Sequence, residues 1–273
     1  MSRATGIEDH HISFAIRLAE AARRALAQDD GAAALGVEVK PDQSFVTRMD
    51  RLIESEIRAM IKAAYPDHGI IGEEEASENP GASHVWVLDP IDGTAPFILG
   101  IPVFGTLIAL AVDGVPHLGV IDVPGVGGRW LGVTGRPTTL NGAPVRTRDC
   151  AGLSDALMTN SNQDYMSAEE LPALNALRRM TANRVYGGAC LNYGRLAEGR
   201  SDLAIDAGQQ VFDFAPFRPV IEGAGGVISD WAGRPLTLES DGRILASGGR
   251  RCHDEALSVI GGLGIGQKER ATA

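Results

Sequence analysis

The stretch from Trp86 to Thr94, which reads WVLDPIDGT, places two carboxylates three residues apart at the end of an apolar run. Carboxylate and carbonyl oxygens are the ligands that hard divalent cations prefer, so Asp89 and Asp92 are candidate metal ligands. Gly93 permits a close backbone approach, and the turn would offer N–H groups and the Thr94 hydroxyl to an anion. The alternative is an ordinary turn, because Asp-Pro and Asp-Gly are common turn dipeptides.

Two other stretches carry acids where elements begin or end. Residues 70–75 read IIGEEE, an apolar strand end followed by acids that include Glu73 and Glu74. Such acids are usually solvated. Residues 211–216 read VFDFAP, which sets Asp213 near a predicted helix start, where an acid can serve simply as a cap. Taken singly, none of the three stretches specifies a function.

Together and in this order, GEE, DPIDGT and the later aromatic-Asp pair resemble the inositol monophosphatase-like superfamily. The resemblance covers nearly the whole chain and includes the segment from Lys40 to Glu54, KPDQSFVTRMDRLIE. It implies an α/β fold of the α+β kind, a layered αβαβα sandwich of the inositol monophosphatase type. It also implies a homodimer that acts on a small-molecule phosphate ester.

The resemblance assigns a role to each group of residues. The metal ligands that it implies, for two or three Mg²⁺ ions with Mn²⁺ as a substitute, are Glu73, Asp89, the carbonyl of Ile91, Asp92 and Asp213. The catalytic residues that it implies are Glu73, Glu74, Thr94, Asp50 and Thr47. The phosphate and substrate contacts that it implies are Asp92, Gly93, Thr94, Ala189 and Asp206. Divalent ions would offset the repulsion between a phosphate dianion and hydroxide, and they would lower the pKa of a bound water.

Some of these residues also have a plainer interpretation. Glu74 and the Thr47–Asp50 pair would orient or activate the attacking water, but Asp50 stands three residues after Thr47, which is the spacing of a capping box. Asp206 would contact substrate hydroxyls, or it would only end an edge strand. The sequence leaves both alternatives open.

PVIEGAGGVISDW and neighbouring stretches indicate the substrate. They look most like the histidinol-phosphate phosphatase branch of the superfamily, whose members act in histidine biosynthesis. We therefore expect a Mg²⁺-dependent phosphomonoesterase that hydrolyses histidinol phosphate to histidinol. That branch has an acid shortly after the glycines that follow Tyr186, whereas this chain reads YGGAC, with Ala189 at that place. Inositol phosphatases carry small residues there, so inositol phosphate or another polyol or sugar phosphate is the alternative substrate. An alternative of another class is a non-catalytic module that binds metal or phosphate.

The elements that must position these residues follow from periodicity. Apolar residues at helical spacing predict an amphipathic helix over residues 9–28, and a second helix that begins after Thr47 and ends at Pro66. From residue 85 onward, short β-rich runs predict an antiparallel meander. Asp113-Gly114 and Asn141-Gly142 supply the positive φ angles that its tight turns need.

After residue 150, strand-like runs alternate with helical ones, and this pattern predicts an α/β layer. Its predicted strands are Ala156 to Thr159, Leu203 to Asp206, Gly226 to Ser229 and Ile244 to Ala246. A single helix is predicted from about Asp213 to Gly225. We accordingly predict two halves: residues 1–145, with the antiparallel sheet and most metal ligands, and residues 146–273, with the substrate-contacting residues.

Composition narrows the class of protein. The formal net charge is −10, from 35 acidic against 25 basic residues, which disfavours nucleic acid and anionic membrane surfaces as partners. The three cysteines lack CxxC spacing, and no signal pattern or long apolar run is present, so we expect a cytoplasmic protein. Zinc-hydrolase, serine-hydrolase and P-loop motifs do not occur.

Overall fold

Two large β-sheets and the helices packed against them form the part of the chain that the computed structural model describes, residues 6–28, 36–40 and 44–265. The helices are α1 (Asp9–Leu26), α2 (Arg48–Ala64), α3 (Thr94–Ile98), α4 (Leu171–Met180), α5 (Leu191–Ala197), α6 (Val211–Phe214), α7 (Phe217–Gly223) and α8 (Arg250–Gly262). The strands are β1 (Glu38–Val39), β2 (Phe45–Val46), β3 (Gly69–Gly72), β4 (His84–Asp92), β5 (Gly105–Val112), β6 (Val115–Val123), β7 (Gly128–Val133), β8 (Thr139–Leu140), β9 (Ala143–Pro144), β10 (Leu157–Asn160), β11 (Asn183–Tyr186), β12 (Leu203–Asp206), β13 (Val227–Ser229) and β14 (Ile244–Ser247). None of the described helices has the length and apolarity that crossing a membrane would require.

The first large sheet is the predicted meander. Its strand order is β3-β4-β5-β6-β7-β8-β9, with β3 parallel to β4 and every later pair antiparallel. The turn between β5 and β6 has φ 49° at Asp113 and φ 77° at Gly114, and Asn141 and Gly142 likewise have φ 50° and φ 84°. Both turns therefore adopt the conformation that their dipeptides predicted.

The second large sheet has the order β11-β10-β12-β14-β13 and mixes parallel and antiparallel pairs. All four strands that we predicted for this half are present, and β11 is an additional one. β12, which ends at Asp206, lies in the middle of this sheet. The interpretation of Asp206 as the end of an edge strand is therefore wrong.

Three large apolar cores separate the layers in the described part of the chain, and a smaller one packs α6 against β4 and β5. Helices α1 and α2 cover one face of the first sheet, α5 and α7 fill the space between the two sheets, and α4 and α8 cover the outer face of the second sheet. In β5, Leu107 belongs to the middle core and Ile108 to the core under α1 and α2, so both faces of the strand are covered, which explains its continuous apolar run. The predicted αβαβα layering is confirmed.

The predicted helix around Asp213 is broken in two. α6 ends at Phe214, and α7 begins after Pro216, because proline has no N–H to continue the hydrogen-bonding of the first helix. Asp213 thus lies in a separate, single-turn helix.

α7 lies directly on the backbone of β6 and β7. A Cβ atom at Gly119 would come within 2.2 Å of the Pro216 carbonyl oxygen, and one at Gly132 within 2.4 Å of the backbone of Pro219. Glycine is needed here because the helix and the sheet touch backbone to backbone. This contact fixes where the chain around Asp213 meets the first sheet.

The predicted division at residue 145 falls between the two large sheets, since β9 ends at Pro144 and β10 begins at Leu157. α7 from the second half packs on β6 and β7 of the first. That residues 1–145 and 146–273 behave as separate domains stays a prediction.

We expect Gly132→Ala to lower the free energy of unfolding by about 1–3 kcal/mol, because the added methyl forces α7 away from β7. Denaturant unfolding followed by circular dichroism measures this. Gly81→Ala is the matched control: a Cβ there meets no atom within 4 Å, so its stability should stay within about 0.5 kcal/mol of the wild type. Equal stability of the two variants would contradict the assignment of this contact.

Candidate metal centre

Three carboxylates from distant parts of the sequence converge at one end of the first sheet. One oxygen from each of Asp89, Asp92 and Asp213 lies within 4.8 Å of the other two. Asp89 and Asp92 stand at the end of β4, where the pairing with β5 is interrupted, and Asp213 belongs to α6. The convergence therefore depends on the long-range packing of α6 against this end of the sheet.

The two remaining predicted ligands face the same space. Glu73 follows β3, and because β3 and β4 run parallel, it emerges beside Asp89. The carbonyl oxygen of Ile91 accepts a hydrogen bond from Thr94 Oγ1 at 3.1 Å. All five predicted ligands line one cavity of about 460 Å³. The structure thus brings the whole predicted set together.

Burial and mutual repulsion disfavour the charged forms of these carboxylates. Burial raises the pKa of Asp89 well above its usual range, and the charges of Glu73, Asp92 and Asp213 raise it further. Burial likewise raises the pKa of Asp213, with Asp92 as the next contributor. It also raises the pKa of Asp92, although hydrogen bonds from Cys190 act in the opposite direction.

The donor set fits a divalent cation. Asp89 Oδ1 is buried and accepts no hydrogen bond from any residue within the described ranges. An unpaired buried oxygen among other carboxylates is costly unless a cation or a proton satisfies it. Oxygen-only ligands favour Mg²⁺, Mn²⁺ or Ca²⁺ over softer metals.

Lys40, to which we assigned no role from sequence, supplies a positive charge to the cluster. Its ammonium group donates to Glu73 Oε1 at 2.8 Å and to Glu74 Oε1 at 2.6 Å. Burial alone would lower the pKa of Lys40, but its bonds to these two glutamates raise it. Burial raises the pKa of Glu74 to about 7 even though Lys40 opposes the shift. Glu74 itself does not line the cavity.

Thr47 and Asp50 form the predicted capping box at the start of α2. Asp50 Oδ2 accepts from the Thr47 N–H at 2.7 Å and from Thr47 Oγ1 at 2.5 Å, and both residues are fully buried. Neither lines the cavity, and Asp50 Oδ1 has no partner among the described residues. The cap is confirmed, whereas a part in activating water stays a prediction.

The predicted phosphate contacts lie on the cavity wall. Gly93 has φ 80° and precedes α3, of which Thr94 is the first residue. A Cβ at Gly93 would come within 3.0 Å of the Ala189 methyl group, so the two residues face each other. Ala189 has φ 47°, and the next N–H, that of Cys190, donates to Asp92 Oδ2 at 2.6 Å. The unusual backbone at Ala189 therefore helps to hold a predicted ligand in place.

Asp206 lies behind the cavity wall. Its carboxylate is 1% exposed and accepts hydrogen bonds from Tyr193 Oη at 2.8 Å, Ser161 N at 2.8 Å and Asn160 Nδ2 at 2.9 Å. Burial outweighs these bonds and raises the pKa of Asp206 to about 7. Ser161 lines the cavity and Asp206 does not, and a direct contact of Asp206 with substrate stays a prediction.

Sequence patterns gave no sign of several other wall residues. Tyr165 and Tyr186 are 55% and 44% exposed and stand at the rim of the cavity, with Gln163 and Gln209 nearby. They follow β10, end β11 or precede α6, and only Tyr186 belongs to a stretch that we identified, YGGAC, where we assigned it no role. Only the fold shows that they share one cavity.

Comparison with known proteins identifies this arrangement. Residues 7–261 match the sequence model of the inositol monophosphatase family. The chain belongs to the inositol monophosphatase family. It is thereby a member of a family of metal-dependent phosphatases, and its cluster of Asp89, Asp92 and Asp213 fits a metal site.

Within the inositol monophosphatase family, relatives with different names are similar to this chain. It is 41% identical over 230 residues to bifunctional phosphatase IMPL2, chloroplastic, of Arabidopsis thaliana, which covers 81% of this chain and 66% of that protein. It is 32% identical over 260 residues to a histidinol-phosphatase of Chlorobaculum parvum, covering 95% of this chain and 98% of the relative. The solved structure of an inositol monophosphatase from Zymomonas mobilis superposes with a TM-score of 0.82 at 36% identity, covering 93% and 98% of the two chains.

We expect Mg²⁺ to stabilise the protein more as the pH rises from about 5 to about 8. The measure is the gain in melting temperature in excess Mg²⁺ relative to EDTA. Carboxyls with a raised folded pKa, such as those of Asp89 and Asp213, contribute stability below their unfolded pKa of about 4, and they lose it as the pH rises through the folded value. Mg²⁺ replaces the lost protons. At a hundredfold excess over its Kd the gain is about 2.7 kcal/mol, or roughly 5–10 °C.

Subtracting the melting temperature in EDTA from that in Mg²⁺ cancels the contribution of two buried histidines, whose effect on stability also changes with pH. Burial lowers the pKa of His11 and of His253 to about 4, so these residues stabilise the fold as the pH rises from about 4 to 6.5, equally in both buffers. Differential scanning fluorimetry at matched ionic strength measures the difference, and Asp213→Asn should reduce it at every pH. A difference that does not change with pH would contradict competition between protons and metal at this cluster.

Proposed function

We propose that this protein is a Mg²⁺-dependent phosphomonoesterase that hydrolyses histidinol phosphate to histidinol. The observation that carries the chemistry is the convergence of Asp89, Asp92 and Asp213 within 4.8 Å, with a buried Asp89 oxygen that lacks a described partner. A site of this kind gathers carboxylates whose negative charge divalent cations would offset, and a bound phosphate would then share those cations.

Each group of residues has a proposed task in this reaction. Glu73, Asp89, the Ile91 carbonyl, Asp92 and Asp213 would hold two or three Mg²⁺ ions, which when bound supply an activated water and neutralise the leaving alkoxide. Backbone N–H groups at Gly93 and Thr94 would bind the phosphate oxygens. Glu74 and the hydrogen-bonded pair of Thr47 and Asp50 would orient the attacking water. Ser161, held by Asp206, would face the alcohol part of the substrate.

Histidinol phosphate is supported by relatives and by the cavity rim. A relative named histidinol-phosphatase aligns with 95% of this chain. Tyr165 and Tyr186 present exposed rings at the rim, and such rings stack on a flat imidazole or bind an ammonium group through cation–π contact.

Inositol 1-phosphate or another polyol or sugar phosphate is the second candidate substrate. Ala189 is small and uncharged, and the solved inositol monophosphatase at 36% identity shares the fold over nearly its whole length. The neutral side chains Gln163 and Gln209 at the rim would suit hydroxyl groups. The alternative of another class, a non-catalytic metal-binding module, is opposed by the complete set of predicted ligands around one cavity.

We expect Asp89→Asn to lower the kcat of Mg²⁺-dependent phosphate release by at least two orders of magnitude. The variant loses a charged metal ligand, and bound metal ions lower the activation free energy of such reactions by several kcal/mol. The variant should stay folded, since it relieves repulsion from Glu73 and Asp92. Its melting temperature in EDTA should equal or exceed that of the wild type. Unchanged turnover in this variant would eliminate the proposed metal centre.

A panel of histidinol phosphate, inositol 1-phosphate and p-nitrophenyl phosphate separates the two substrates. We expect kcat/KM to be at least a hundredfold higher for histidinol phosphate than for p-nitrophenyl phosphate. A value no better than that of p-nitrophenyl phosphate would retire the proposed substrate and leave the phosphatase chemistry standing.

The Ala189→Asp variant tests the substrate directly. The positive φ at Ala189 suits Asp, and a carboxylate there would add a charge-assisted contact to the substrate amine. We expect kcat/KM for histidinol phosphate to increase about tenfold, the equivalent of about 1.4 kcal/mol, with no increase for inositol 1-phosphate. Ala189→Asn is the control, because it has the same shape without the charge. An equal gain in both variants would show that charge is not the cause.

A further inference from the structure

A buried ion pair on α2 lies directly behind the turn that carries Glu73 and Glu74. Glu54 is 0% exposed and Arg58 is 2% exposed, and they stand one helical turn apart. Arg58 Nε donates to Glu54 Oε1 at 2.8 Å. None of the roles proposed above uses this pair.

The pair binds the backbone of the turn that follows β3. Glu54 Oε2 accepts from the N–H of Glu74 at 2.9 Å, and Oε1 accepts from the N–H of Glu75 at 3.0 Å. Arg58 donates to the carbonyl oxygen of Glu75 at 2.9 Å. The contacts are to main-chain atoms next to Glu73, so a shift of the turn would move the Glu73 carboxylate as well.

Gly72 shows how closely the turn approaches the pair. A Cβ atom at Gly72 would lie 2.1 Å from Glu54 Oε1 and 2.7 Å from an Arg58 terminal nitrogen. The glycine of the GEEE sequence is thus needed for contact with the ion pair. The turn is held on its inner side by Glu54 and at Glu75 by Arg58.

Stability alone does not account for such a pair. Removing two charges from water costs about as much as their attraction returns, and well-packed apolar residues often stabilise a fold equally well. Fixed placement of a metal-binding carboxylate is a separate requirement, which charged groups behind the ligands commonly meet.

We infer that Glu54 and Arg58 are positioning residues, which set metal affinity by fixing the turn that carries Glu73 and Glu74 while touching neither metal nor substrate. This inference rests on the proposed metal centre. It extends the site from the cavity wall to the buried side of α2, where Asp50 lies one turn before Glu54.

The test is isothermal titration of Mg²⁺ into the Glu54→Gln variant. Glutamine keeps the length of the side chain but turns an amide donor toward the N–H of Glu74 or Glu75. We expect the Kd for Mg²⁺ to rise by about 10- to 100-fold. At saturating Mg²⁺ we expect a lower kcat on the best phosphate ester and a KM within about twofold of the wild type.

Two further variants keep the test decisive. Glu54→Gln removes the buried negative charge beside Arg58 and can unfold the chain. The double variant Glu54→Gln with Arg58→Met therefore removes both charges and should show the same loss of affinity. Asp122→Asn is the matched control: Asp122 is 1% exposed and pairs with Arg23 and Arg129, and it does not line the cavity. Its melting temperature should fall, while its Kd for Mg²⁺ stays within about twofold.

The outcomes separate this inference from the proposed function. If the wild type binds no Mg²⁺, the metal centre fails and this inference fails with it. If the wild type binds Mg²⁺ and a folded Glu54 variant binds it equally well with the same kcat, only the positioning role is overturned. A fall in melting temperature without a change in Kd, as expected for Asp122→Asn, would likewise reduce Glu54 and Arg58 to a structural pair.

Discussion

Repulsion among buried carboxylates is the constraint around which this protein is organised. Asp89, Asp92 and Asp213 place oxygens within 4.8 Å of one another in an environment that disfavours charge. Without a cation, such a group must keep protons or move apart. The fold prevents the second outcome, because the acids stand at the ends of packed elements. The cluster is therefore a site that requires positive charge, and Lys40 provides part of it through Glu73 and Glu74.

The layered architecture supplies the rigidity that this cluster needs. Parallel pairing of β3 with β4 puts the acids of both strand ends side by side, and backbone contact at Gly119 and Gly132 fixes α7 behind α6. α2 closes the other side with its capping box and its buried ion pair. The predicted metal ligands thus come from three elements whose relative positions are set by packing between the helices and the first sheet.

Many of the elements and candidate site residues could be predicted from local sequence. DPIDGT and GEE indicated the predicted metal ligands through their resemblance to the inositol monophosphatase-like superfamily, whereas the acids of each stretch taken singly had plainer explanations. Thr47 and Asp50 gave the start of α2 through a spacing of three residues, and Asp113-Gly114 gave a hairpin turn through its φ angles. Each of these signals acts within a few residues of chain, where sequence determines geometry directly.

What the sequence did not reveal depends on contacts between distant residues. Lys40 meets Glu73 across 33 positions, and Cys190 meets Asp92 across 98. Asp206 sits in the centre of its sheet because of strand order, which periodicity does not specify. Pro216 was a local signal for the break, yet we predicted a single helix across it, from about Asp213 to Gly225.

The central claim is that these distant acids hold divalent cations at one point. Anomalous diffraction from crystals grown with Mn²⁺ tests it most directly, since manganese can be located independently of the protein. The account predicts anomalous peaks at roughly 2.1 Å from carboxylate oxygens of Asp89, Asp92 and Asp213. Well-ordered crystals at millimolar Mn²⁺ with no peak in this cavity, or with peaks only elsewhere, would contradict it.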